Sequence, residues 1–170
     1  EPLLRMAAAD AAAMLQPHEL NQVAGPLLSD PLLAVRLAAV GSLITLQRNA
    51  VNPVFFEPLA AAVEEYRAAQ ELHADRAESH LNLGLLLSSE GNPRGAAESY
   101  WRAIERLPVF VPAYVNLVEL YRASGQEDMV EKILQRGLRA VPDNADLTHA
   151  LGLALVRQRR YEEAMSSLEK

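Results

Sequence analysis

Cysteine is absent from all 170 residues, which excludes disulfides, zinc–thiolate sites and a thiol nucleophile. Aromatic residues make up 5% of the chain, with a single Trp, while half of it is apolar and rich in alanine. That mixture suits closely packed helices better than sheets. Lysine occurs at positions 132 and 170 alone, and Lys+Arg number 16 against 22 Asp+Glu, a net charge of −6. The basic excess on which duplex nucleic-acid binding depends is missing, so no nucleic-acid partner is expected. A weakly acidic balance mainly favours solubility. No stretch reaches the roughly 18 uninterrupted apolar residues of a membrane span. The alanine-rich start, Leu3 to Leu15, carries Arg5 and Asp10 and ends at Pro17, without the basic flank or cleavage pattern of a signal peptide. The lack of cysteine leaves the compartment open.

What is present is a repeat. Leu83, Leu117 and Leu151 recur every 34 residues, and so do Gly84, Val118 and Gly152. Leu87, Tyr121 and Leu155 follow in register, then Ala96, Val130 and Ala164, then Tyr100, Leu134 and Leu168, with Pro108 and Pro142 closing the first two copies. A period of this length is the mark of stacked helical hairpins. Apolar spacing and stop signals place helices at 77–90, 93–107, from 111 to a stop at Gly125, from 127 to just before Pro142, from about 146 to a turn near Arg159, and onward from Tyr161. Pro93 suits a first helical position, where its missing N–H would have no partner. Gly84 and Ala96 are small residues on facing helices, so the two backbones approach closely and Leu87 and Tyr100 fill the space beside them.

These residues, LNLG at 81–84 with Gly91, Ala96, Tyr100, Ala103 and Pro108, resemble a tetratricopeptide repeat. Copies run over 77–110 and 111–144, with a truncated third at 145–170. Val118, Val130 and Gly137 are departures in the second copy. Upstream, Ala62, Tyr66 and Ala69 match Ala96, Tyr100 and Ala103 at the same offset, so a helix over 53–73 resembles the second helix of a preceding repeat. The first half has a different period. LLRMAAADAAAMLQ at 3–16 aligns with AVRLAAVGSLITLQ at 34–47, pairing Arg5 with Arg36 and Gln16 with Gln47. With Leu27, Leu28, Asp30 and Pro31 between them, this segment resembles a HEAT repeat. The resemblance implies that the Asp caps a helix start and that the Arg ties neighbouring repeats. Asp30 before Pro31 also fits a helix cap followed by a first-turn proline on its own physics. The stretch RNAVNP at 48–53 reads as the junction.

In a tetratricopeptide stack the first helix of each hairpin lines the concave groove. That places Glu78, Leu81, Asn82, Leu85 and Ser89 there, then Val115, Asn116, Glu119 and Arg122, then His149, Leu153 and Arg157. Asn82 and Asn116 occupy equivalent places, and an amide offers both a donor and an acceptor to a peptide backbone. The third copy has Ala150 instead. Leu81, Leu85 and Val115 fill the places where a carboxylate clamp would need basic groups, so that mode of binding is not expected. The candidate ligand-binding set is Asn82, Asn116, Leu85, Glu119, Arg122, His149 and Arg157.

Other chemistries find no support. His18, His73, His80 and His149 form no HExxH and no close pair with ligand spacing, so no metal site is expected. Glu64-Glu65 and Glu162-Glu163 are adjacent on helices and do not share a face. Ser166-Ser167 lack a glycine-flanked elbow, and Gly91-Asn92-Pro93 lacks the spacing of a phosphate loop. Trp101 reads as packing between repeats. Arg157, Arg159 and Arg160 form the one basic cluster and read as a solvated face.

The expected fold is all-α, a right-handed superhelix of helical repeats: HEAT-like over 1–50, tetratricopeptide-like over 53–170, in one continuous stack. No catalytic residue and no cofactor in this chain are expected. The expected function is a non-enzymatic scaffold whose concave groove binds a protein or peptide. An alternative comes from the order of the two segments, DPLLAVRLAAVGSL then EYRAAQELHADRAESHLNLG. It is similar to the C-terminal part of bacterial multihaem cytochrome c proteins, which implies an exported docking module whose haem-binding part lies outside this chain. On that reading the compartment is periplasmic, otherwise cytoplasmic. Self-association is a further expectation, because the stack reaches Lys170 with Leu168 unpaired and no polar capping helix after it.

Overall fold

The structure, a computed structural model, describes residues 1–46 and 48–168, with Arg48 described by its backbone alone. Gln47, aligned above with Gln16, lies outside the described residues, as does the end of the stack at Lys170. Among the described residues every regular element is helical. The helices are α1 (Pro2–Ala12), α2 (Pro17–Ala24), α3 (Leu33–Leu43), α4 (Phe56–Leu72), α5 (Ala77–Ser89), α6 (Pro93–Arg106), α7 (Val111–Ala123), α8 (Glu127–Ala140), α9 (Ala145–Arg157) and α10 (Tyr161–Leu168). From α4 onward these agree with the sequence reading to within a few residues. The helices group into two compact units. One comprises residues 1–74 with 85–92, the other residues 75–84 with 93–168.

From α5 onward the repeat is a repeated helix ending, the first copy of it in the first unit and the other two in the second. The N–H of Asn92 donates to Leu87 O at 2.8 Å and that of Gly91 to Ser88 O at 3.0 Å. Gln126 with Gly125, and Arg160 with Arg159, make the same pair of bonds to Tyr121 and Arg122, and to Leu155 and Val156. This is one Schellman motif three times over, and it requires a left-handed residue after each first helix. Gly91 (φ 74°) and Gly125 (φ 70°) fill that place, and in the third copy Arg159 does so at φ 63°.

Side-chain volumes set how closely each hairpin closes. A Cβ on Gly84 would sit 2.3 Å from the Tyr100 ring, and one on Gly152 would sit 3.0 Å from Leu168. The middle copy pairs the larger Val118 with the smaller Leu134, and both are buried. Gly137, where the first copy has Ala103, is explained the same way: a Cβ there would meet Leu147 at 2.9 Å and Tyr114 at 3.2 Å. Leu168, expected to be unpaired, lies against Gly152 while 54% of it stays exposed. Trp101 packs between repeats as read from the sequence, its ring 4.9 Å beneath the Arg136 guanidinium carbon.

The first unit packs α1 and α2 against α3, and α3 against α4. Its core includes Leu20, Leu28, Val40, Leu43 and Tyr66, with Leu86 of α5 among them. Ser42 Oγ donates to Ala9 O at 2.6 Å, joining α3 to α1. The helix α2 was not read from the sequence, and its buried Asn21 holds the 48–53 segment in place. Asn21 Nδ2 donates to Ala50 O at 2.8 Å and Oδ1 accepts from Asn52 N at 2.7 Å. Val51 is buried beside them.

Asp30 does something other than cap a helix start. Helix α3 begins at Leu33, with Leu32 in the cap position. The Asp30 carboxylate accepts Leu32 N–H at 3.0 Å and receives Arg5 through Nε at 2.6 Å and a second nitrogen at 3.2 Å. The hydrogen bond from Arg5, then that from Leu32, hold its carboxyl below the usual range. Arg36, the counterpart of Arg5, grips Glu65 of α4 through two nitrogens at 2.7 and 2.8 Å and donates to Asp30 O at 2.7 Å.

Candidate functional site

The sequence candidates lie on the first helices of the hairpins, but the structure gives them different surroundings. In the second unit Asn82 on α5 and Asn116 on α7 are both half-buried. Asn116 Nδ2 donates to Pro112 O, one turn back on its own helix, at 2.9 Å. The amide's second N–H and its Oδ1 remain for other partners. Glu119 and Arg122, also on α7, are exposed and form an ion pair with each other.

Arg157 is engaged by Glu127, whose charge also acts on Arg122. Its Nε donates to Glu127 Oε1, at the start of α8, at 3.1 Å. The other carboxylate oxygen of Glu127 is buried with no partner among the described residues. His149 borders a cleft formed by α8, α9 and α10. Leu85 belongs to the first unit, where it is half-buried against the core cluster. The structure therefore brings Glu119 and Arg122 together and puts Asn116 on the same helix. It commits Arg157 to an ion pair within the unit.

The basic cluster is not a free solvated face. Arg160 donates to both Glu163 oxygens, at 2.7 and 2.6 Å, and to Glu131 Oε2 on α8 at 2.5 Å. With Arg157 on Glu127, two of the three arginines are spent on carboxylates of the same unit. Sequence reading missed these pairings because the acids lie 29 and 30 residues upstream. The available signal was the 34-residue period, which sets the start of α8 beside the end of α9.

Among the described residues no group of three His, Cys, Asp or Glu is placed to hold a metal ion. No helix among them is long and apolar enough to cross a membrane.

Repeated hairpins, repeated Schellman endings and small residues at the close approaches describe a single architecture. This is a helical-repeat fold of the tetratricopeptide type. Two solved structures of MamA, a helical-repeat protein of that type, share it. One is 18% identical, with a TM-score of 0.55, over 88% of this chain and 82% of its own. The other is 17% identical, with a TM-score of 0.55, over 99% of this chain and 88% of its own. The sequence matches no protein-family model and no curated protein.

Proposed function

We propose that this chain is a non-enzymatic scaffold that binds a protein or peptide through the first helices of its tetratricopeptide-like hairpins. Repeat stacks of this kind act by presenting an extended surface rather than a reaction centre. The observation that carries the reading is the equivalence of Asn82 and Asn116 on successive first helices. Each presents an amide that serves a main-chain N–H or C=O irrespective of sequence. The exposed Glu119–Arg122 pair flanks Asn116 and adds a polar selector on the same helix.

The proposal extends to the first unit. Arg5 and Arg36 stand 31 residues apart, and each holds a carboxylate further along the chain through two nitrogens. This supports a HEAT-like reading of residues 1–50, in which the arginine ties one helical layer to the next.

Panning a displayed library of random 12-residue peptides against the whole chain tests the binding reading. Enriched peptides should lose most of their affinity for an Asn82→Ala, Asn116→Ala double variant whose circular dichroism is unchanged. Peptides held at full strength by that variant would remove the asparagines from the binding site. A library that yields no enrichment would remove the scaffold reading itself.

A further inference from the structure

A second feature lies on the second helices of the hairpins, away from the first-helix face. Helix α8 divides its charges. Its acids Glu127 and Glu131 are taken by Arg157 of α9 and by Arg160. Its cations Lys132, Arg136 and Arg139 are exposed and have no ion pair among the described residues. They stand at i, i+4 and i+7, which puts them on one face of the helix. The chain has a net charge of −6, yet no carboxylate among the described residues answers these three.

Arg136 is also held in place. Its guanidinium carbon lies 4.9 Å from the centre of the Trp101 ring on α6. Such contact fixes a cation without neutralising it, so its N–H donors remain for an anion. Tyr114 of α7 stands nearby, its hydroxyl donating to Pro108 O at 2.9 Å. Burial pushes the Tyr114 phenol up, and the charges of Arg136 and Arg139 oppose the rise. Both guanidiniums thus act on one hydroxyl.

The patch is short and bounded. From Lys132 to Arg139 it spans about 10 Å at the helical rise of 1.5 Å per residue. Asp128 stands one turn before Lys132, Asp143 lies past the end of α8, and Glu105 lies one turn after Trp101, all exposed.

We propose that this face docks a short acidic segment of a partner protein, an extended stretch with Asp or Glu on alternate residues. Three such carboxylates span about 13 Å at the strand rise, which matches the reach of the three cations. Arginine pairs with carboxylates through two donors at once, and a guanidinium already placed loses less freedom in doing so. A lone phosphate is too small to meet all three cations. A long polyanion such as duplex DNA would run on into Asp128 and Asp143 and be repelled there. The face shares no residue with the first-helix set, so it stands or falls independently of the binding reading above.

Fluorescence anisotropy with the whole chain tests this. The probe is a 12-residue peptide with three glutamates on alternate central positions and an uncharged dye. One companion has glutamine at those places, and a second has glutamines around a single phosphoserine. The glutamate peptide should bind, and both companions and a 20-base-pair DNA duplex should bind at least tenfold more weakly. Lys132→Gln, Arg136→Gln and Arg139→Gln should each weaken the glutamate peptide two- to tenfold, and raising salt from 50 to 500 mM should weaken it further. Trp101→Leu keeps every charge but removes the ring beneath Arg136, and it should weaken binding at least twofold. Arg159→Gln removes the same charge at the α9–α10 turn and should leave binding unchanged. The proposal is overturned if the glutamate peptide does not bind, or if the phosphoserine peptide or the duplex binds as tightly. It is also overturned if Arg136→Gln or Trp101→Leu, folded by circular dichroism, binds as the parent does, or if Arg159→Gln weakens binding as much as Arg136→Gln.

Discussion

The close approach at Gly84 gives the sharpest test of how the hairpins are held. A Cβ at this position would lie 2.3 and 2.5 Å from two carbons of the Tyr100 ring. Carbon atoms at rest stand about 3.5–4.0 Å apart, so the ring must retreat by more than about 1 Å. It has little room to do so, because Tyr100 is 2% exposed and Ala103 and Ile104 of the same helix are fully buried. Overpacking of this kind costs about 1–3 kcal/mol. Replacing glycine by alanine inside a helix returns about 1 kcal/mol of propensity. With the clash directed at a buried ring, Gly84→Ala should be destabilised by about 1–2 kcal/mol. For a chain of this size that lowers the melting temperature by roughly 2–8 °C. Thermal unfolding followed by circular dichroism at 222 nm measures it. The middle copy points to the rescue, since it has Val118 and Leu134, both buried, at the places of Gly84 and Tyr100. Gly84→Ala combined with Tyr100→Leu should lose less than the two single changes added together, with a coupling of about 1 kcal/mol or more. A Gly84→Ala protein that melts above the parent, with a double-mutant cycle showing no coupling, would refute the packing argument.

Other perturbations have equally definite directions. Arg159 occupies a left-handed position that glycine fills in the other two copies. Arg159→Gly relieves about 1–2 kcal/mol of backbone strain and gives back part of it as chain entropy, so a net gain of about 0.5–1 kcal/mol is expected in urea unfolding; a loss would mean the side chain holds something the strain conceals. The Asp30 carboxyl is held below its ordinary 3.8 by Arg5, then by Leu32. Its contribution is present above 3.8 and lost as pH falls through the lowered folded value, so Asp30→Asn should be less stable at pH 7 and show a shallower decline in acid. An unchanged acid limb in that variant would contradict the pairing. Burial pushes the Tyr66 and Tyr100 phenols up to about 12. Their contribution is complete below pH 10 and disappears as pH rises towards 12, because the unfolded chain releases those protons first. Absorbance at 295 nm should therefore show a late-ionising fraction that coincides with unfolding, and Tyr66→Phe should reduce it.

The second half of the fold was legible in the sequence because its signals are local. Gly91, Gly125, Pro93 and Pro108 mark helix ends by backbone geometry, and the 34-residue period fixes which residues face one another. Helix α2 was not legible. It has eight residues, opens on the Pro17 that reads as a stop, and is justified by Asn21 bonding to Ala50 and Asn52, about 30 residues away. Asp30 misled for a related reason. Its neighbours fit a cap, yet the partner that claims its carboxylate is Arg5, 25 residues upstream. The candidate site follows the same division. That Asn82 and Asn116 occupy equivalent places on their helices is a matter of register, readable from spacing. Whether Arg157 is available to a guest depends on Glu127, which spacing within one helix does not reveal.

The long-range pairings also change what the basic cluster means. From sequence, Arg157, Arg159 and Arg160 read as a solvated basic face. In the structure, Arg157 and Arg160 answer Glu127, Glu131 and Glu163, so three arginines stand among three carboxylates and the cluster is close to neutral. A cation committed to an internal bridge contributes little outward field, whereas Asp143, without a bridge, contributes its full charge. The charge of the surface a partner meets is therefore set by which charges the fold pairs, and here pairing cancels most of it. The same reasoning separates the copies. All three share a turn, and they differ in what stands on the first helix: an asparagine in the first and second copies, Ala150 in the third. On the proposed reading, recognition rests on those differences, while the repeated residues serve to hold them at fixed spacing.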